Sequence, residues 1–250
     1  MSGRRPPGGR PPFAPSQHFL RSRALAAEIV REARIDPGDL VFDLGAGSGR
    51  LTAELAGVAH RVVAVELDPR WAGRLRGRWP NVDVVEGDAA ELALPRERFR
   101  VVANLPFCRT TDLLHLLLDD PGTELVRADL IVEWEVARKR ALPWPSSLNG
   151  VVWGAFWETS LARRLPSRAF DPPPAVDAGL LVFSRRAQPL VPANEAGAFR
   201  TFVARGFRRG PASVAARREL KRVAGAVSQA RELDAHQWAE LFRRERRPNA

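Results

Sequence analysis

Between residues 40 and 141 the chain alternates short, almost continuously apolar runs with segments of helical periodicity. The runs are LVFDL (40–44), RVVAVE (61–66), VDVVEG (82–87), RVVAN (100–104) and ADLIVEW (128–134); the helical segments lie near 50–57, 69–78, 110–118 and 135–141. A strand that is apolar at nearly every position must be buried on both faces, and helices supplied between successive strands are what can cover it. The pattern predicts an α/β chain with a mostly parallel sheet. Two later runs, around 159–165 and 178–184, have no clear helix between them. They are expected to form an antiparallel hairpin at the sheet edge, joined by the proline-rich loop PSRAFDPPPAVD. From about residue 190 the text turns helical with no strand, which predicts a small all-helical domain over 190–250 behind a larger domain over 16–189. Residues 1–15 have the composition of a disordered basic arm.

No apolar run reaches the roughly 20 residues of a membrane span. The N-terminus is basic but lacks the apolar core of a secretory signal. A single cysteine, Cys108, excludes an intrachain disulfide and fits a reducing, cytoplasmic setting. The net charge of +10 is placed unevenly: residues 1–23 carry net +5, residues 199–250 carry net +8, and the 175 between them sum to −3. A near-neutral body with basic ends suits a catalyst that binds a polyanion, because phosphate neutralisation dominates nucleic-acid affinity. Arg208, Arg209, Arg217 and Arg218 are the candidate phosphate contacts; a solvated basic surface is the plainer alternative.

Ligands of open parallel sheets bind beyond the carboxyl ends of the strands. The first strand ends in DLGAGSG, where Gly45, Gly47 and Gly49 allow a sharp turn and a close backbone approach. Glu66 closes the second strand, where an acid can accept hydrogen bonds from two ribose hydroxyls. Asp88 follows the third, where a carboxylate can meet an adenine amino group; each acid alone could equally be a helix cap. The glycine spacing is G-x-G-x-G, not the dinucleotide G-x-G-x-x-G, because position 50 is arginine. That spacing favours S-adenosylmethionine over a nicotinamide cofactor.

The fourth strand runs into Asn104-Leu105-Pro106-Phe107. An exocyclic purine amine is a poor nucleophile, since its lone pair is delocalised into the ring. The Asn104 side-chain oxygen and the Leu105 carbonyl can accept its hydrogens and hold the lone pair toward a methyl sulfonium. Pro106 fixes the backbone and brings no competing donor, and Phe107 can stack on the base. Positioning and electrostatics carry this chemistry, and no strong base is needed. Cys108 reads as a small buried hydrophobe rather than a nucleophile, and His60, His115 and His236 show no metal-ligand spacing.

These residues, with SQHFL (16–20), VELD (65–68), GDA (87–89), EWEVARKRA (133–141), FDPPPAVDAGLLVF (170–183) and FVARGFRRG (202–210), resemble the Erm methyltransferases over about Ser16 to Gly210. The resemblance implies a Rossmann-like S-adenosylmethionine methyltransferase fold with a seven-stranded, mostly parallel sheet. It implies methylation of adenine N6 in large-subunit ribosomal RNA, before full assembly, with resistance to macrolide, lincosamide and streptogramin B antibiotics. It places His18, Leu20, Gly45, Gly47, Glu66, Asp88 and Asn104 at the cofactor, Phe107 at the target base, and Phe170 on the other face of that base. A monomer is expected. Two alternatives stand beside it: a small-subunit rRNA adenine dimethyltransferase, and a non-catalytic RNA-binding assembly factor on the same scaffold. A small-molecule methyltransferase would leave the basic ends unexplained.

Overall fold

The computed structural model describes residues 17–141 and 147–246; the basic arm at 1–15 lies outside the described residues. The central sheet has seven strands, which lie side by side in the order 82–86, 61–66, 40–44, 99–104, 125–133, 178–185 and 157–165. The strands β2 (Leu40–Leu44), β3 (Arg61–Glu66), β4 (Val82–Glu86), β5 (Phe99–Asn104) and β6 (Leu125–Glu133) are mutually parallel. The strand β9 (Ala178–Arg185) runs antiparallel between β6 and β7 (Trp157–Leu165), so the expected hairpin does end the sheet, with β7 outermost. The helices α1 (Arg23–Ala33), α2 (Arg50–Ala56), α3 (Pro69–Leu75), α4 (Thr110–Leu118) and α5 (Trp134–Arg140) accompany the parallel strands.

Strand periodicity explains the two apolar layers. Leu40, Phe42 and Leu44 point into one cluster with Val63, Val65, Val101, Ala103, Leu130 and Val132. Val41, Val62, Val102 and Ile131, the alternate positions, point into the other with α1 and α2. Successive side chains of a strand leave on opposite faces, so the inner strands β2, β3 and β5 are apolar at nearly every position, whereas the edge strand β4 is not buried. Helix starts follow local chemistry: Ser22 accepts the Leu25 N–H at 3.2 Å ahead of α1, and Asp68 caps α3 with Pro69 in its first turn.

Two features have no counterpart in the sequence pattern. A helix α6 (Leu148–Gly154) precedes β7, and a two-stranded ribbon pairs β1 (Phe19–Leu20) with β8 (Phe170–Asp171). The C-terminal helices α7 (Ala196–Arg209), α8 (Arg217–Ala224) and α9 (Ala235–Arg246) do not have a separate core. Phe199, Phe202, Trp238 and Phe242 belong to the same cluster as Trp153 and Trp157. At Gly206 a Cβ would come within 2.3 Å of the Trp238 ring, so a glycine in mid-helix is what lets α7 and α9 meet so closely.

Candidate active site

The carboxyl ends of β2, β3, β4 and β5 converge on one cleft. After β2 the loop turns through Gly45, Gly47 and Gly49, all at positive φ (78°, 51° and 77°). Space as well as backbone demands glycine: a Cβ on Gly47 would lie 2.5 Å from the Phe19 ring, and one on Gly45 would lie 3.1 Å from Pro106. Glu66 is buried, and its carboxylate holds this loop in place. One oxygen accepts the Gly47 N–H at 2.7 Å and the other accepts the Asp68 N–H at 2.8 Å.

Asp88 takes up two partners. Oδ1 accepts the Ala90 N–H at 2.9 Å and caps a 3₁₀ turn, while Oδ2 accepts from Arg109 at 2.9 Å. Glu66, Leu67, Asp88, Pro106 and Arg109 wall a cavity of about 290 Å³ together with Gln17. Cys108 is exposed on the same wall, which corrects its expected burial: the turn after Pro106 points the side chain outward.

At the end of β5, the Leu105 N–H donates to the Ile131 carbonyl at 3.1 Å, and the Leu105 side chain is buried. Pro106 opens a 3₁₀ turn over Phe107–Arg109. The Asn104 side-chain amide donates to the His18 carbonyl at 2.7 Å, and its Oδ1 is buried with no hydrogen-bond partner among the described residues. His18 in turn uses Nδ1 toward the Pro172 carbonyl at 2.8 Å. A carbonyl only accepts, so this nitrogen carries the proton. The His18 and Phe107 rings lie 5.7 Å apart.

Residues 17–20 thus form a strap across the glycine loop. It is fastened by the β1–β8 pairing, by His18 to Pro172, by Asn104 to His18, and by the Phe19 ring, which meets the Trp71 ring edge-on at 4.9 Å. Leu20, the last residue of the strap, is buried and lines a small cleft shared with Asp43, Gly45 and Asn104.

Phe170 requires a correction. Its side chain is fully buried, in register with Leu20 and in one apolar cluster with Ile131, Leu165 and Leu180, so it offers no face to a base in this arrangement. An aromatic beside three prolines has the look of an exposed loop residue; pairing with a segment from the other end of the chain buries it. Arg208, Arg209, Arg217 and Arg218 are exposed at the end of α7 and the start of α8, and they make no hydrogen bond or ion pair with the cleft residues.

Sequence reasoning missed Phe19, Arg109 and Asp43. Asp43 is the acid that opens the glycine motif, and only its position ahead of the glycines could have marked it. Burial pushes its carboxyl up to about 7 and the nearby Glu66 adds to the rise, while a 2.6 Å bond from the Thr52 hydroxyl acts against them. The described residues hold no cluster of three or more His, Cys, Asp or Glu side chains able to bind a metal ion. No described helix is long and apolar enough to cross a membrane.

The residues present fit an adenosyl cofactor. Buried and half-buried carboxylates line a cavity of nucleoside size, the glycine loop and Asn104 line a small cleft at the same strand ends, and the buried Asn104 Oδ1 has no hydrogen-bond partner among the described residues. A family model described as "Ribosomal RNA adenine dimethylase" matches residues 13–230. An rRNA adenine N-6-methyltransferase of Streptomyces fradiae is 36% identical over 199 residues, covering 77% of this chain and 61% of that protein. Mycinamicin-resistance protein MyrB of Micromonospora griseorubida is 34% identical over 241 residues, covering 91% of this chain and 76% of that protein. The solved structure of 23S rRNA methyltransferase ErmE superposes with a TM-score of 0.79 at 30% identity, covering 91% of this chain and 99% of that one.

Proposed function

The chain belongs to the ribosomal RNA adenine dimethylase family, and from that premise we propose how its cleft selects and methylates its target. The chain is an S-adenosylmethionine-dependent rRNA adenine N6-methyltransferase. We propose that the target adenine lies in 23S RNA of the large subunit, reached before assembly is complete, and that its methylation confers resistance to macrolide, lincosamide and streptogramin B antibiotics. The likeness to 23S rRNA methyltransferase ErmE and to a mycinamicin-resistance protein supports this reading. We propose further that the protein acts as a monomer in the cytoplasm.

The observation that carries the catalytic reading is the buried Oδ1 of Asn104, which has no hydrogen-bond partner among the described residues. When bound, S-adenosylmethionine supplies a methyl group on a positively charged sulfur. Asn104 accepts one hydrogen of the target amine through Oδ1, and the Leu105 carbonyl accepts the other. Phe107 stacks on the base, and Pro106 holds the turn. Glu66 receives the ribose hydroxyls, and Asp88 receives the adenine amino group of the cofactor. The glycine loop and the strap at His18 and Leu20 exclude water from the methionine end. The helical segment from about 190 onward holds RNA through phosphates at Arg208, Arg209, Arg217 and Arg218.

Expression in a sensitive host, followed by reverse-transcriptase mapping on both ribosomal RNAs and mass spectrometry of nucleosides, tests the whole reading. N6-methylated adenine at one position of 23S RNA, with gain of resistance, is the expected result. Methylation confined to small-subunit RNA would replace the target, and an RNA population without new methyladenine would overturn the activity.

A further inference from the structure

Arg109 stands between the two halves of the cleft. It sits in the turn directly after Asn104-Leu105-Pro106-Phe107, yet its Nη2 reaches back 21 residues in sequence to Asp88 at the end of β4. Its Nε is ion-paired with Asp112 on α4 at 3.4 Å and is buried with no hydrogen-bond partner among the described residues. The side chain remains 42% exposed and forms part of the cavity wall. Asp88 has therefore committed Oδ1 to capping Ala90 and Oδ2 to a guanidinium. The oxygen that would receive the adenine amino group already has a strong, charge-assisted donor on it.

We propose that Arg109 is a cofactor-gated RNA contact: it occupies Asp88 in the empty cleft, is displaced when adenine takes that carboxylate, and then pairs with a phosphate of the RNA. The inference rests on the assignment of Asp88 to the cofactor's adenine. Geometry gives the guanidinium somewhere to go. Asp112, a second acidic partner at 3.4 Å, keeps it near the turn, and the exposed part of the side chain faces solvent. The arrangement makes RNA affinity depend on cofactor occupancy, so a chain without a methyl donor holds RNA less firmly. The turn that carries Phe107 is also released from Asp88 at the moment the cofactor arrives.

Competition predicts a sign that simple support does not. Removing a competitor strengthens cofactor binding, whereas removing a brace for Asp88 weakens it. Calorimetry of S-adenosylhomocysteine on the full chain should give at least threefold tighter binding for Arg109→Ala than for wild type, and Arg109→Gln, which keeps the volume of the turn, should shift in the same direction. Filter binding of an rRNA stem-loop across a salt series supplies the second reading. In wild type, saturation with S-adenosylhomocysteine should steepen the log-log salt slope by about 0.7 to 0.9, the value of one added phosphate contact. In both variants the slope should not change on saturation. Weaker or unchanged S-adenosylhomocysteine binding in both variants would overturn the competition, and an equal slope change in wild type and variants would overturn the phosphate contact. A wild-type chain that bound no S-adenosylhomocysteine would overturn the cofactor reading itself, which the first arm of the experiment detects separately.

Discussion

Asn104 and His18 are joined by one hydrogen bond, from the side-chain amide of the first to the backbone carbonyl of the second, at 2.7 Å. Because the carbonyl can only accept, the bond turns the Asn104 NH2 group toward the strap and leaves Oδ1 directed away from it. A residue with two chemically different ends has been oriented by fixing the donor end.

Removing that oxygen should therefore separate catalysis from binding. Asn104→Ala is expected to lower the single-turnover methyl-transfer rate by about 10²-fold or more, the scale seen when a preorganised hydrogen-bond group is lost. RNA affinity should stay within about threefold, or under roughly 1 kcal/mol. A rate equal to wild type would remove Asn104 from the reacting centre.

Glu66 makes two calls on one carboxylate, loop and ligand. Glu66→Ala should weaken S-adenosylmethionine binding by about 2 kcal/mol or more, since charge-assisted bonds are lost and two buried N–H groups are left unpaired. Glu66→Gln should also fail, because its NH2 group must face one of the two N–H donors now met at 2.7 and 2.8 Å. Calorimetry showing wild-type affinity in Glu66→Ala would take the residue out of the site.

Asp43 predicts an unusual pH response. Its carboxyl titrates at about 7 in the fold against an ordinary value of 3.8, so between those limits the folded chain holds a proton that the unfolded chain has released. Stability must then fall as pH rises through that window, by on the order of a few kcal/mol, and level off above it. Asp43→Asn keeps the shape and the acceptor for Thr52 without the charge. Urea unfolding should find the variant close to wild type at pH 5 and more stable at pH 8; parallel pH dependence in the two proteins would argue that Asp43 is not the group responsible.

The basic tail can be tested apart from the cleft. Replacing Arg208, Arg209, Arg217 and Arg218 together by alanine should weaken RNA binding about equally across sequences. Each lost phosphate contact should flatten the log-log salt slope by about 0.7 to 0.9. Cofactor affinity should not move. An unchanged slope would make these arginines a solvated surface and shift RNA recognition to the cleft.

The parallel sheet was legible because burial on both faces forces a continuous apolar run, and β2, β3 and β5 carry one. The strand-end acids were legible for a topological reason, since parallel strands bring their carboxyl ends to one edge. Segments that owe their structure to distant partners were not. Phe19–Leu20 and Phe170–Asp171 are strands only because they meet each other, and two residues display no period. The helix α6 is built on LNGVVWG, too short and too rich in glycine to announce itself. Arg109 was invisible for the same reason as Phe170: a charge or a ring acquires its role from what the fold sets beside it.

The strap also bears on the order in which the molecule becomes active. His18 and Pro172 lie 154 residues apart, and their bond belongs to the fastening that steers Asn104. During synthesis at roughly 5 to 20 residues per second, the first described residues leave the ribosome many seconds before their partners exist. A nascent chain released before β8 contains the glycine loop, Glu66 and Asn104 but has nothing to pair with the strap. Catalytic competence is thus a late acquisition, and an incomplete translation product carries the parts of the site without its final orientation.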